Sequence, residues 1–220
     1  MTVLALLITP SLIARGNGEQ TTRPSLPARE GQTERETESD RETGAAEPTA
    51  DEVRDTSEAG ALSDDELVAV FSELGLRTPD APVDAVDFEL PVLSSDSPRS
   101  LSSFEGTVVL LNFWASWCPP CIEEMPSMQS LYEQLDGSGF EIVAVNLQED
   151  PATVRSFMEE NGYDFPVLLD DTGRVAREYG VRGIPTSYVV HSDGRLLAMH
   201  VGPHEWDDGG FVDAFETIAR

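Results

Sequence analysis

Cys118 and Cys121 are the only cysteines in 220 residues, and they stand two residues apart in "FWASWCPPCIEEMP". Thiols at that spacing serve three kinds of chemistry: half of a zinc site, a structural bridge, or a dithiol that opens and closes. Structural zinc takes four Cys or His ligands, normally as two pairs. Here there is one pair, and His191, His200 and His204 lie far downstream without metal-ligand spacing. A bridge across two residues closes almost no loop, so it constrains the unfolded chain little. The redox dithiol is the reading that remains.

The elements around the pair decide where it sits. "TVVLLNF" (107–113) and "FEIVAVN" (140–146) are continuous apolar runs of the kind buried on both faces of a sheet. Met125, Met128, Leu131 and Leu135 mark a helix between them, which makes a strand-helix-strand unit. Asp150 and Pro151 open another helix that carries Val154, Phe157 and Met158 and stops at Gly162. "FPVLL" reads as a short strand, followed by a brief helix around Val175, Ala176 and Tyr179. "TSYVVH" and "RLLAMHV", joined through Ser192-Asp193-Gly194, read as an antiparallel hairpin. A last helix carries Phe211, Phe215 and Ile218 inward. The fold class is therefore α/β, a central mixed β-sheet flanked by helices. Cys118 falls just past the first of these core strands and at the start of a helix, the edge where open α/β sheets place their sites.

These features resemble the thioredoxin superfamily, and within it the extracytoplasmic TlpA/ResA-like thiol-disulfide oxidoreductases with an AhpC/TSA-redoxin-like domain. The resemblance rests on "FWASWCPPC", "VRGIPT" and the Asp-Gly hairpin, and runs from "VDFELP" near residue 86 to the C-terminus. It implies that Cys118 is the attacking thiol and Cys121 the resolving one, with no cofactor beyond their disulfide. It also implies that Pro185, after Ile184, is a cis proline whose loop faces the cysteines and pairs with substrate backbone. Glu124, three residues past Cys121, matches an acid that ResA-like members use to tune the thiols. Asn112 stands where thioredoxin has a buried aspartate, which leaves Glu124 as the proton-handling candidate. The alternative for Glu124 is an ordinary solvated glutamate. Trp114 is expected in the core and Trp117 at the floor of the substrate groove.

A thiolate, not a thiol, attacks a disulfide, and a helix N-terminus favours it through its dipole and free amides. This motif works partly against that help. Pro119 and Pro120 have no N–H to offer the sulfur. No arginine occurs between Arg99 and Arg155, while Glu123 and Glu124 follow the motif at once. Only Arg182, near the proline loop, opposes them. A thiolate that is costly to hold makes a reductant rather than a disulfide-forming oxidant. The implied partners are protein thiols and disulfides and an upstream electron-donor thiol protein, with apocytochrome c cysteines among the family's usual substrates.

Two other classes compete with this reading. A peroxiredoxin-like peroxidase has its nucleophile preceded by Pro-x-x-x-Thr-x-x, where Leu111 and Ala115 stand here. The non-enzyme alternative is a binding or chaperone module that uses the cis-proline groove to hold partners.

Charge and composition set the surroundings. The net charge of −27 is spread along the chain, with no lysine anywhere. A surface this negative repels phosphate backbones and anionic lipid heads, so nucleic acid is excluded as a partner. Residues 1–15 are read as a signal peptide or membrane anchor around the apolar run "MTVLALLITPSLIA", which is shorter than the roughly 20 apolar residues of a spanning helix. Residues 16–60 read as a disordered acidic linker, since a stretch such as "GQTERETESDRETGAAEPTADE" has too little apolar surface to offset its ordering entropy. Residues 61–79 read as a short amphipathic helix and lead-in, with Ser63 and Glu66 as a capping box, and 80–220 as the thioredoxin-like domain. The expected location is extracytoplasmic, soluble or N-terminally tethered.

Overall fold

The structure is a computed structural model and describes residues 63–219. The expected signal or anchor at 1–15 and the linker at 16–60 lie outside the described residues. Among the described residues, no helix is long and apolar enough to cross a membrane.

In chain order the elements are α1 (Asp64–Glu73), β1 (Val83–Asp84), β2 (Glu89–Val92), β3 (Ser95–Ser100), a 3-10 turn (Leu101–Phe104), β4 (Val108–Trp114), α2 (Pro119–Gln134), β5 (Phe140–Leu147), α3 (Pro151–Asn161), β6 (Val167–Asp170), α4 (Arg174–Glu178), β7 (Thr186–Val190), β8 (Arg195–Val201) and α5 (Gly209–Ile218). The strands form one sheet in the order β1-β8-β7-β4-β5-β6-β2-β3. β4 runs parallel to β5 and antiparallel to β7, and β5 runs parallel to β6. The sheet is thus mixed, as expected, with the strand-helix-strand unit at its centre.

Every residue of β4 is buried, because helices cover one face and a turn with a short helix cover the other. Alternation along the strand then sorts side chains to two cores. Val108, Leu110 and Trp114 pack with residues of α1, α2, α3 and α5, while Val109, Leu111 and Phe113 pack with Leu101, Phe104, Val175 and Tyr179. Asn112 shares the parity of Leu110 and Trp114, so the strand period delivers it to the face covered by α2. In the ladder it lies opposite Ser187 of β7.

The capping box is present at α1, where Ser63 and Glu66 exchange hydrogen bonds. This helix packs on its own domain. Phe71 is fully buried 5.5 Å from the Phe215 ring, and Arg77 exchanges two backbone hydrogen bonds with Met199 of β8. The segment before residue 80 is therefore part of the same core and sheet edge.

Three strands lie outside the elements expected from sequence. β1 is two residues long, and β2 and β3 form an antiparallel hairpin appended beyond β6. β3 is exposed along almost its whole length and contains Pro98, which an edge strand tolerates because one row of its amides needs no partner. β6 begins two residues later than "FPVLL" suggested. Pro166 has no N–H for a ladder and instead presents its carbonyl to the Ala144 amide at 2.9 Å.

Candidate functional site

Cys118 occupies the N-cap of α2 and Cys121 lies in its first turn, with Cα atoms 5.3 Å apart and the two sulfurs joined in a disulfide. Cys118 is 4% exposed and Cys121 is fully buried. Pro119 and Pro120 are the first two helical residues and have no amide hydrogen. The next two amides, of Cys121 and Ile122, both donate to the Cys118 carbonyl, at 3.0 and 3.1 Å. No first-turn amide is left to donate to the Cys118 sulfur. What faces that sulfur instead is the Ile184 carbonyl oxygen, 3.7 Å away. A carbonyl accepts from a thiol and repels a thiolate, so both features favour the protonated form.

Ile184 precedes Pro185 across a cis peptide bond, and its carbonyl lies beside Cys118. Pro185 is buried and its carbonyl accepts from the Gly202 amide at 2.9 Å. Gly202 has φ of 106°, a conformation that glycine enters at little cost. Trp117, next to Cys118, is 67% exposed, whereas Trp114 is buried against Phe157. Val201, at the end of β8 opposite Thr186, is 50% exposed. Trp117 and Val201 are two of the few large apolar side chains left exposed, on elements that flank the cysteine and proline loops. Val201 had no sequence signal, because nothing in "RLLAMHV" says which end of the strand runs past the proline loop.

Glu124 is 1% exposed, which removes the solvated alternative. Its Oε1 accepts from Asn112 Nδ2 at 2.8 Å, and its Oε2 accepts from the His204 amide at 3.1 Å and Trp206 Nε1 at 3.2 Å. Asn112 also donates to Ser187 Oγ at 2.9 Å. Burial pushes the Glu124 carboxyl up to about 7, against the pull of these three hydrogen bonds. The acid lies one helical turn past Cys121, on the α2 face turned toward β4. Ser127, a further turn on, accepts from the Trp206 amide at 3.0 Å and donates to carbonyls of Glu124 and His204. Segment 204–206 is thereby pinned over the acid. No local signal ties Trp206 or His204 to Glu124, since they reach it from about 80 residues away.

A second acid holds the loop before Cys118. Glu149, just after β5, accepts from the Ser116 amide at 2.7 Å and from Ser116 Oγ at 2.5 Å, and also from Asn146 Nδ2 at 2.6 Å. Glu149→Ala is expected to lower unfolding stability by about 2 kcal/mol, the cost of leaving two or three partly buried donors unpaired. A denaturant titration checks this, and Glu149→Gln, which keeps an acceptor oxygen, should lose less.

His200 and His204 rings lie 4.6 Å apart, closer than their spacing suggested, and burial lowers both from the ordinary histidine range. Among the described residues, no group of three or more His, Cys, Asp or Glu is arranged to hold a metal ion.

Comparison with known proteins agrees with this geometry. The chain is 40% identical over 118 residues to the thiol-disulfide oxidoreductase ResA of Halalkalibacterium halodurans, covering 54% of this chain and 66% of that one. It is 39% identical over 102 residues to ResA of Bacillus subtilis, covering 46% and 57%. These matches span less than two thirds of either relative's length. Among solved structures, a thiol:disulfide interchange protein of the thioredoxin family from Chlorobium tepidum superposes with a TM-score of 0.55 at 28% identity, over 64% of this chain and 99% of that one. The profile of the AhpC/TSA family matches residues 83–199, a stretch that takes in the dithiol, Glu124 and the Ile184–Pro185 loop. With more than half of its length so matched, and a thioredoxin-like sheet carrying the dithiol at a helix N-terminus, the chain belongs to the AhpC/TSA family.

Proposed function

We propose that this chain is an extracytoplasmic thiol-disulfide oxidoreductase that works as a reductant of protein disulfides, with the Cys118–Cys121 pair as its only redox centre. The observation that carries the reading is a disulfide between the chain's only cysteines, set at the start of α2 against the Ile184 carbonyl. The names of the relatives support the class of chemistry. The apolar N-terminal run supports a location outside the cytoplasm.

In the working direction the reduced pair gives up two electrons. The Cys118 thiolate attacks one sulfur of the substrate disulfide, forming a Cys118–substrate bond and releasing the other substrate sulfur as a thiolate that takes a proton from solvent. Glu124 then accepts the proton of the Cys121 thiol. The Cys121 thiolate attacks Cys118 Sγ, the mixed disulfide breaks, and the second substrate sulfur leaves as a thiolate that takes up a proton, balancing the one Glu124 gives back to solvent. The substrate is reduced to a dithiol and the Cys118–Cys121 disulfide forms. An upstream dithiol protein restores the pair by the same exchange. Trp117, Ile184 and Pro185 line the groove that holds the substrate chain, and oxidised apocytochrome c cysteines are one substrate of the right chemistry.

The test is turnover. The full chain, supplied with a dithiol donor, should reduce a protein disulfide faster than the donor alone, and Cys118→Ser should remove the difference. Equal rates with and without the wild-type chain would end this reading.

A further inference from the structure

The cavity beside Trp117 is the one part of the surface where the described arginines gather near the groove. Residues 63–219 carry 29 acidic and seven basic side chains, so a basic spot here is set against a strongly negative background. Most of the arginines are engaged elsewhere. Arg174 pairs with Glu178 at 2.8 Å, Arg195 with Asp193 at 2.8 Å, and Arg155 donates to the Leu93 carbonyl at 3.0 Å. Arg99 lies 4.6 Å over the Phe104 ring.

Arg177 and Arg182 differ. Both line a cavity of about 260 Å³ whose other walls include Trp117, Gln148, Ala176 and Ile184. Arg177 donates from Nη1 to the Thr172 carbonyl at 2.9 Å, which fixes the guanidinium and leaves its remaining N–H groups directed elsewhere. Arg182 is exposed and makes no hydrogen bond or ion pair with any described residue. Of the acids on neighbouring segments, Asp171 is exposed and pairs with neither arginine, and three others are already committed. Glu149 accepts from Ser116 and Asn146, Asp170 from the Arg174 and Ala176 amides, and Glu178 from Arg174. Two guanidinium groups with open donors, on the rim shared with Trp117 and Ile184, are suited to a carboxylate.

We propose that Arg182 and Arg177 form a carboxylate-binding subsite next to the Cys118 groove, which selects disulfides flanked by Asp or Glu in the substrate polypeptide. The inference rests on the oxidoreductase reading above and adds the substrate's charge. A chain that lays its backbone along Ile184 to bring a disulfide to Cys118 extends past Trp117 into this cavity. The negative surroundings repel an acidic substrate at long range, so the arginines act at contact and set its register rather than draw it in.

The experiment uses intramolecularly oxidised two-cysteine peptides whose cysteines are flanked by Asp, by Asn or by Lys, with hydroxyethyl disulfide as a neutral probe, at one fixed salt concentration. For the wild-type full chain, kcat/KM is expected to be about tenfold higher for the Asp peptide than for the Asn peptide, the size of one charge-assisted hydrogen bond at a partly exposed site. In Arg182→Gln that ratio should fall toward one, and in Arg182→Glu the Lys peptide should become the preferred one. A merely structural arginine would not reverse a charge preference. Arg174→Gln, on the same helix as Arg177 but outside the cavity, should leave the ratio in place. If wild type reduces all three peptides within about twofold of one another, well short of that tenfold, the subsite is overturned while the oxidoreductase reading stands. If it reduces neither the peptides nor hydroxyethyl disulfide, both fall together.

Discussion

Replacing Cys121 with Ala is expected to stop turnover and leave Cys118 joined to its substrate in a stable mixed disulfide. With the resolving sulfur gone, the intermediate can only wait for an external thiol. The variant should still fold, because the Cys118–Cys121 bridge spans a sequence separation of three and restricts the unfolded chain little. Non-reducing gel electrophoresis of the variant after exposure to an oxidised protein substrate checks this, with the shifted band lost on adding dithiothreitol. Cys118→Ser should form no such band. The two variants also separate catalysis from a groove that merely binds, since a binding module would yield no covalent complex with either. A band from Cys118→Ser and none from Cys121→Ala would reverse the roles assigned to the two sulfurs.

Glu124→Gln carries the second large effect, and it acts on rate and stability in opposite directions. In the proposed exchange Glu124 is the base that accepts the Cys121 proton, and a general base of that kind contributes a factor on the order of 100 to its step. The variant should lose about that much kcat, and the rise in wild-type kcat through pH 7, where Glu124 ionises, should flatten. Stability follows the opposite sign. The folded-state pKa of about 7 lies above the ordinary 4.5, so between those values the folded chain holds a proton that the unfolded chain has released. Unfolding stability therefore falls as pH rises across that window, by about 3 kcal/mol in total, and the loss persists above pH 7. Glutamine carries no such penalty. Its stability relative to wild type should climb from pH 4.5 to 7 by a similar amount, read from denaturant titrations at several pH values. A variant that kept full kcat with an unchanged pH profile would remove Glu124 from the proton path and leave it a buried structural acid.

The parts of the fold legible in the sequence are those whose signal is local. β4 and β5 are unbroken apolar runs because both of their faces are covered. α3 is announced at both ends, by Asp150 with Pro151 and by Gly162 in the left-handed conformation. The β2–β3 hairpin was not legible, since β3 is polar, exposed and interrupted by Pro98, and takes its place from backbone pairing alone. The site divides in the same way. The cysteines and the proline loop follow from short motifs. The burial of Glu124 does not, because the groups that bury and hold it, His204 and Trp206, arrive through chain topology. Asn112 shows both levels at once. Its parity on β4 was readable, but its contact with Glu124 required knowing which helix lies over that face. Glu149 was likewise invisible, being an acid among many until the Ser116 loop is seen to rest on it.

In the proposed function Cys118 is set up to give electrons away. The absence of free first-turn amides and the Ile184 carbonyl beside the sulfur both disfavour a thiolate, and a disfavoured thiolate means a disulfide that is hard to reduce. The direct measurement is the reduction potential of the Cys118–Cys121 pair in the full chain, equilibrated in thiol-disulfide buffers and read by tryptophan fluorescence. A value near or below roughly −220 mV, the glutaredoxin and thioredoxin end of the known range, is the predicted result. A value near roughly −120 mV, that of a strong disulfide-forming catalyst, would contradict the account and reverse the direction of electron flow.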